Sequence, residues 1–390
     1  MKSDKKDYQF ATKAIHSGQE PDPSTGAVIG PIYATSTYAQ ESPGVFKGYD
    51  YSRTSNPTRK SLEVCMADLE NGGTGFAFSS GMAATATILE LLDSGDHVIS
   101  MDDVYGGTYR LFENVRRRSA GIEFSFANLS DPDSLLANLK ENTKMIWVES
   151  PSNPLLKIVD LQKVSAFAKE HGLITVCDNT FCSPYIQKPL ELGFDLVVHS
   201  ATKYLNGHSD VVGGIAVCSD QREDLAENLA FLANSIGSIM GPFDSFLVLR
   251  SLKTLQVRMQ QHCANAQQIA DFLQAHSGID KVYYPGLPDH PNHETAKAQM
   301  NGFGGMVTAV LKGGLSSATK FLERTELFTL AESLGGVESL IEHPAIMTHA
   351  SIPPEIRQEL GIEDGLVRLS VGIEAVDDLV RDLDNALLNL

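Results

Sequence analysis

The order of apolar and polar positions along this chain changes character three times. Up to about residue 48 it is rich in Gly, Pro, Ser and Thr with no sustained period, which predicts an arm that either lies across its own domain or reaches a neighbouring subunit. From 76 to 218 short apolar runs alternate with stretches of helical spacing. The runs 96–101, 144–149, 173–177 and 196–198 predict strands; the valine-rich last one predicts a buried strand. Helices are expected over 61–69, opened by Asn56-Pro57-Thr58, over roughly 82–92, opened by Ser79-Ser80-Gly81, and over 161–170. Strands alternating with helices predict a mostly parallel sheet covered on both faces. Beyond Gly241-Pro242 an apolar stripe from Phe246 through Leu249, Leu252, Leu255, Met259, Cys263, Ala266 and Ile269 to Leu273 predicts one long helix ending near His276. Strands near 281–284, 305–311 and 366–371 and a last helix over 376–388 then predict a smaller domain.

At 390 residues the chain exceeds what one hydrophobic core supports. The expected division is an arm over 1–58, an α/β domain over 59–240, and an α+β domain with its linking helix over 241–390.

In open α/β sheets ligands gather at the carboxyl ends of strands. Tyr105, Asn153, Asp178, Ser200 and Lys203 all fall at such ends. Taken singly, Asp178 reads as a turn residue, Tyr105 as a loop aromatic, and Lys203 as a solvated charge. Five on one rim are harder to dismiss. Lys203 follows the 196–198 run, has hydroxyls at Ser200 and Thr202, and precedes the loop Asn206-Gly-His-Ser-Asp210, a setting that suits an anion. A lysine amine among phosphate-binding groups points to Schiff-base chemistry with pyridoxal 5′-phosphate (PLP). Gly81 and Met82 open a helix whose free amides suit the same phosphate. Tyr51 and Arg53, two apart in an extended segment, present a phenol and a guanidinium on one side. Arg368 within a strand needs an anionic partner if buried.

Charge and composition narrow the picture. A net charge of −18 argues against nucleic acid or an anionic membrane as partner. The Arg116-Arg117-Arg118 cluster reads as a solvated helix face. The N-terminal residues lack the apolar core of a signal peptide, and no run approaches a membrane span. Five scattered cysteines without a pairing motif suit a reducing cytoplasm. His290 and His293 in Asp289-His-Pro-Asn-His293 lack further ligands at a recognisable spacing, so no metal site is expected.

At these motifs the chain resembles the cystathionine γ-synthase/γ-lyase family of PLP enzymes, of the aspartate-aminotransferase-like fold (type I). The likeness runs from Tyr51-Ser-Arg53 to Arg368 and rests most on Ser200-Ala-Thr-Lys203-Tyr204 and Glu332-Ser-Leu-Gly-Gly336. It implies that Lys203 is the Schiff-base lysine, that Asp178 holds the pyridine nitrogen, and that Tyr105 stacks on the ring. It further implies that Gly81, Met82, Ser200 and Thr202 cradle the phosphate, with Thr180 beside the ring. Tyr51 and Arg53 would reach the same phosphate from a neighbouring subunit, in a dimer or, as is usual in the family, a homotetramer. Asn153, Ser333 and Arg368 would hold the substrate α-carboxylate, with Asp50, Arg53 and Glu332 as charged candidates around its distal group.

Within the family, methionine γ-lyases typically carry cysteine where this chain has Gly107. Typical bacterial cystathionine β-lyases carry tryptophan in the segment matching Glu332–Gly336, whereas the sole tryptophan here is Trp147. The stretches Ala345-Ile-Met-Thr-His-Ala-Ser351 and Arg368-Leu-Ser-Val-Gly372 lean towards γ-lyases. The resemblance thus implies cleavage of cystathionine to cysteine, 2-oxobutanoate and ammonia. The alternatives are γ-synthesis from O-succinyl- or O-acetylhomoserine and β-cleavage. A non-catalytic binding protein keeping this fold is disfavoured by an intact Lys203 and Asp178.

Overall fold

The computed structural model describes residues 8–131, 133–349 and 354–388. Its larger sheet has seven strands: β1 (Thr74–Phe78), β2 (His97–Met101), β3 (Glu123–Ala127), β4 (Thr143–Glu149), β5 (Ile174–Asp178), β6 (Leu196–Ser200) and β7 (Gly214–Cys218). They lie in the order β1-β7-β6-β5-β4-β2-β3. Strands β2 to β6 pair in parallel; β7 runs antiparallel to both β6 and β1. Alternation divides the buried side chains between two faces. Leu196 and Val198 enter one core with Met145, Val148 and Val164, while Val197 and Ile215 enter the other with Leu62, Met66 and Met259. Burial on both faces explains why β6 reads as an unbroken apolar run.

The helix Pro57–Leu69 begins as its sequence suggests, with the Asn56 side chain accepting from the Thr58 and Arg59 amides and proline at the first position. The helix Gly81–Leu89 is capped by Ser80, whose Oγ accepts from the Ala83 amide.

The long helix expected from 242 to 276 is instead two, Pro242–Leu252 and Leu255–Ala275. The break frees the Ser251 carbonyl, which accepts from Thr254 Oγ1 (3.1 Å) and Arg258 Nη2 (3.0 Å). Arg258 is buried and also donates to the carbonyls of Tyr204 (2.7 Å) and Leu205 (3.3 Å). A buried guanidinium must find acceptors, and opening the helix at Lys253-Thr254 supplies one. The apolar stripe continues across the break, so periodicity alone does not show it.

The second sheet has β8 (Ile279–Tyr283), β9 (Met306–Leu311), β10 (Thr329–Leu330), β11 (Leu340–Glu342) and β12 (Leu366–Ser370), in the order β10-β11-β12-β9-β8. Its core takes Val307, Ala309, Val367 and Leu369 against Ile269 and Leu273, Phe321, and Leu379 and Leu383 of the helix Val376–Leu387.

A short helix, Phe10–His16, is pinned to its own chain by Lys13, 3.3 Å from Asp68 and 2.8 Å from Asn71. From 23 to 48 the arm is almost wholly exposed, with Val28, Ile29, Val45 and Phe46 among its bare apolar side chains. Among the described residues no helix is long and apolar enough to cross a membrane.

Candidate active site

Four neighbouring parallel strands deliver their carboxyl ends to one cavity of ≈ 310 Å³. Lys203 enters from the turn after β6. Its Nζ donates to Ser333 Oγ at 2.6 Å. Burial, and then the positive Arg368, lowers its pKa to about 8, against the opposing pull of Glu342 and Glu332. The Glu332–Gly336 loop reaches the lysine because of two unusual backbone conformations. Gly335 has φ +78°, and a Cβ there would sit 2.7 Å from the Tyr204 amide nitrogen. Ser333 adopts φ 103°, sparsely populated for a residue with a side chain, which places its hydroxyl on Lys203 and its carbonyl on Arg368.

Asp178 ends β5. Its Oδ1 accepts from the Thr180 amide (3.0 Å) and hydroxyl (2.5 Å), and Thr180 Oγ1 accepts in turn from the Ser200 amide at 2.9 Å. Thr180 thereby ties the ends of β5 and β6 together. Burial raises the Asp178 pKa more than these hydrogen bonds lower it. It has no salt bridge in this chain among the described residues, so a cation placed against it would restore the charged form.

Asn153 and Arg368 meet from opposite domains: Arg368 Nη1 donates to Asn153 Oδ1 at 2.8 Å and Nη2 to the Ser333 carbonyl at 3.0 Å. Tyr105 is part-exposed at the mouth, its ring so close over Gly107 that any Cβ there would collide with it. The side chain that the sequence reading associated with another subfamily therefore has no room at Gly107 while the ring is in this place.

Gly81 and Met82 also line the cavity, at the start of their helix, where the first amides have no helical acceptor. A Cβ on Gly81 would lie 3.0 Å from Ser200 Cβ, so glycine keeps this corner open. Thr202 lines the same wall, its hydroxyl accepting from the Gly213 amide at 3.0 Å. These residues fit PLP. An amide-lined helix start beside two hydroxyls suits the phosphate, Asp178 lacks the cation that a pyridinium would supply, and Lys203 has an amine whose neutral form is accessible.

The structure thus brings Gly81, Met82, Tyr105, Asn153, Asp178, Thr180, Ser200, Thr202, Lys203, Glu332, Ser333 and Arg368 to one cavity. Tyr51 and Arg53 stand apart from it. Both are exposed; Arg53 Nε donates to Asn234 Oδ1 at 3.3 Å and its guanidinium lies 5.4 Å from the Tyr51 ring. Asp50 accepts from the Tyr51 amide at 2.7 Å and does not line the cavity either. His290 and His293 donate to the carbonyls of Leu156 (3.1 Å) and Pro285 (2.8 Å).

Two carboxylates escaped the sequence reading. Glu149, buried at the end of β4, accepts from the Tyr105 amide at 2.9 Å and so holds the Tyr105 loop. Burial, with Asp178 and Asp103 nearby, pushes its pKa well up. Glu342, also buried, is the anion that Arg368 requires, 3.0 Å from Nη2. Glu149 closes a run already read as a strand, a position that signals a strand end more than a site. Glu342 follows Leu340-Ile341, and only the strand pairing reveals what it faces.

Comparison with known proteins agrees with this geometry. The chain is 65% identical over 376 residues to the cystathionine β-lyase of Coxiella burnetii, covering 96% of this chain and 97% of that one. It is 52% identical to the cystathionine γ-lyase of Dictyostelium discoideum over 97% of this chain and 98% of that protein. The crystal structure of cystathionine γ-lyase from Lactobacillus plantarum complexed with L-serine superposes with a TM-score of 0.94 at 48% identity, over 97% of this chain and 98% of that one. The family description "Cys/Met metabolism PLP-dependent enzyme" matches residues 11–388. The fold is the type I fold of PLP enzymes, the cofactor is pyridoxal 5′-phosphate, and this chain belongs to the family of Cys/Met metabolism PLP-dependent enzymes.

Proposed function

We propose that this enzyme cleaves the C–S bond of cystathionine by γ-elimination, converting cystathionine and water to cysteine, 2-oxobutanoate and ammonia. The observation that carries cystathionine cleavage, over synthesis from a succinyl ester, is the pairing of opposite poles on one cavity wall; the γ-direction rests on the likeness of Ala345-Ile-Met-Thr-His-Ala-Ser351 and Arg368-Leu-Ser-Val-Gly372 to γ-lyases. Arg368, with Asn153, offers a cationic seat for a carboxylate, and the exposed carboxylate of Glu332 stands at the mouth beside it. Cystathionine has an amino-acid head at each end, and an acidic mouth favours the distal ammonium over the carboxylate of a succinyl ester. PLP, when bound, supplies the electron sink for carbanion chemistry. Lys203 would take the Cα proton and then one from Cβ. Arg368 would fix the carboxylate so that the Cα–H bond faces the lysine. Tyr105 would protonate the departing sulfur.

A second reading is β-cleavage, favoured by the relative 65% identical to this chain that bears the β-lyase name. That relative weighs against treating the absence of a tryptophan near Glu332 as decisive. The two reactions take the same molecule in opposite directions. Both orientations put the same number of atoms between the two heads and move the sulfur by one position. The heads therefore cannot choose between them; access of Lys203 to the Cβ proton can. Product analysis on cystathionine tests this. The proposal expects 2-oxobutanoate with cysteine as the main products; mainly pyruvate with homocysteine would establish β-cleavage instead. A higher kcat/KM for synthesis from O-succinylhomoserine and cysteine would overturn the lyase reading.

We infer further that Tyr51 and Arg53 serve the phosphate of a neighbouring subunit, in a dimer or in a homotetramer built from such dimers. Their exposure, their distance from their own cavity and the bare apolar side chains of the arm support this. Five free cysteines suit the cytoplasm as its compartment.

A further inference from the structure

We propose that Glu342 is a positioning residue for Arg368 that takes up a proton when a substrate α-carboxylate binds there. The two face each other directly across the antiparallel pair of β11 and β12. They are 1% and 2% exposed, and Glu342 Oε2 lies 3.0 Å from Arg368 Nη2. That contact is an ion pair without a hydrogen bond. Among the described residues neither Glu342 Oε2 nor Arg368 Nε has a hydrogen-bond partner. The guanidinium therefore keeps an unspent donor, and the carboxylate is held on its other oxygen, where Thr348 Oγ1 donates at 2.8 Å. Thr348 itself lines the cavity.

The charges around Glu342 are few. Arg368 faces it from β12, Lys203 from the turn after β6, and Glu332 from the loop before β11. His349, beside Thr348, has its pKa lowered to about 4 by burial, so it stays neutral. With Lys203 engaged by the cofactor, Arg368 is the one fixed cation facing Glu342 among the described residues. An arriving α-carboxylate then sets two anions on one buried guanidinium, and two carboxylates in such a place cannot both remain ionised. Burial already raises the Glu342 pKa, and an α-carboxyl is the stronger acid of the two. The proton therefore goes to Glu342, from buffer to Oε2, with no other bond made or broken. The guanidinium is released to the substrate and the charge of the site is unchanged by binding.

This rests on the reading that Arg368 receives the substrate carboxylate, and the experiment separates the two. Holoenzyme is titrated calorimetrically with 2-hydroxy-4-(methylthio)butanoate, which has the thioether and an α-carboxylate that is a stronger acid than a glutamate side chain, with a hydroxyl in place of the amine. Buffers of different ionisation enthalpy then give the protons taken up. We expect uptake approaching one proton per site within the neutral range for the wild type, and none for Glu342→Gln. Thr348→Val removes a hydrogen bond that holds the charged form, so the low-pH edge of uptake should move upward; this decides the matter should Glu342→Gln not fold. Equal uptake in wild type and Glu342→Gln, no uptake in the wild type, or an unmoved edge in Thr348→Val would overturn the proposal. Equal affinity for the neutral 2-hydroxy-4-(methylthio)butanamide would instead defeat the carboxylate-seat reading, and the proposal with it.

Discussion

An amine joins an aldehyde only in its neutral form, so the lowered pKa of Lys203 predicts how the apoenzyme would regain PLP at this residue. At pH 7.5 an amine with a pKa of about 8 is neutral in about a quarter of molecules, against about one in a thousand at the ordinary value of 10.5. The buried site therefore holds about 200-fold more of the reactive form than an exposed lysine would. The sign is fixed by the direction of the shift: capture should accelerate as pH rises towards about 8 and level off above it. Stopped-flow absorbance after mixing apoenzyme with PLP measures this, with Nα-acetyllysine as a control for ionisation of PLP itself. Burial is the larger cause and Arg368 the next, so Arg368→Met should move the break upward only in part. A rate that climbs without a break to pH 10, like the control, would refute the argument.

Three further outcomes follow from the same geometry. Asp178→Asn should keep the fold and lose most activity, since an amide no longer favours a protonated pyridine; near wild-type turnover would contradict the charge argument. Gly335→Ala should cost about 1–3 kcal/mol in thermal or denaturant unfolding and weaken the Ser333–Lys203 contact, because φ +78° and the Tyr204 backbone leave no room for a Cβ; an unchanged midpoint would show that the loop adjusts freely. Mixed Arg53→Ala and Lys203→Ala subunits should regain activity in hybrids that hold one complete site; no recovery with subunit exchange confirmed would place Arg53 outside its neighbour's site.

Much of this site was legible along the chain because its parts sit where strands end. Asp178, Ser200 and Lys203 follow apolar runs that could only be strands, and rim residues of a parallel sheet converge without further information. What remained hidden depends on pairings distant in sequence. Arg368 could be seen to need an anion, but that the anion is Glu342 follows from the β11–β12 register. Glu149 becomes a site residue only because the Tyr105 amide, 44 positions away, turns towards it. The break at Lys253-Thr254 was invisible for the complementary reason. The apolar spacing on either side is continuous, and the cause is a guanidinium gripping carbonyls from the turn after Lys203.

The central claim is that Lys203 is the residue that holds PLP. Reduction of the holoenzyme with borohydride fixes the cofactor to its lysine, and peptide mapping by mass spectrometry then locates it. The pyridoxyl group is predicted on the peptide containing Ser200-Ala-Thr-Lys203-Tyr204, with no label in Lys203→Ala. A label on any other lysine of the wild-type protein would contradict the assignment and the site built around it.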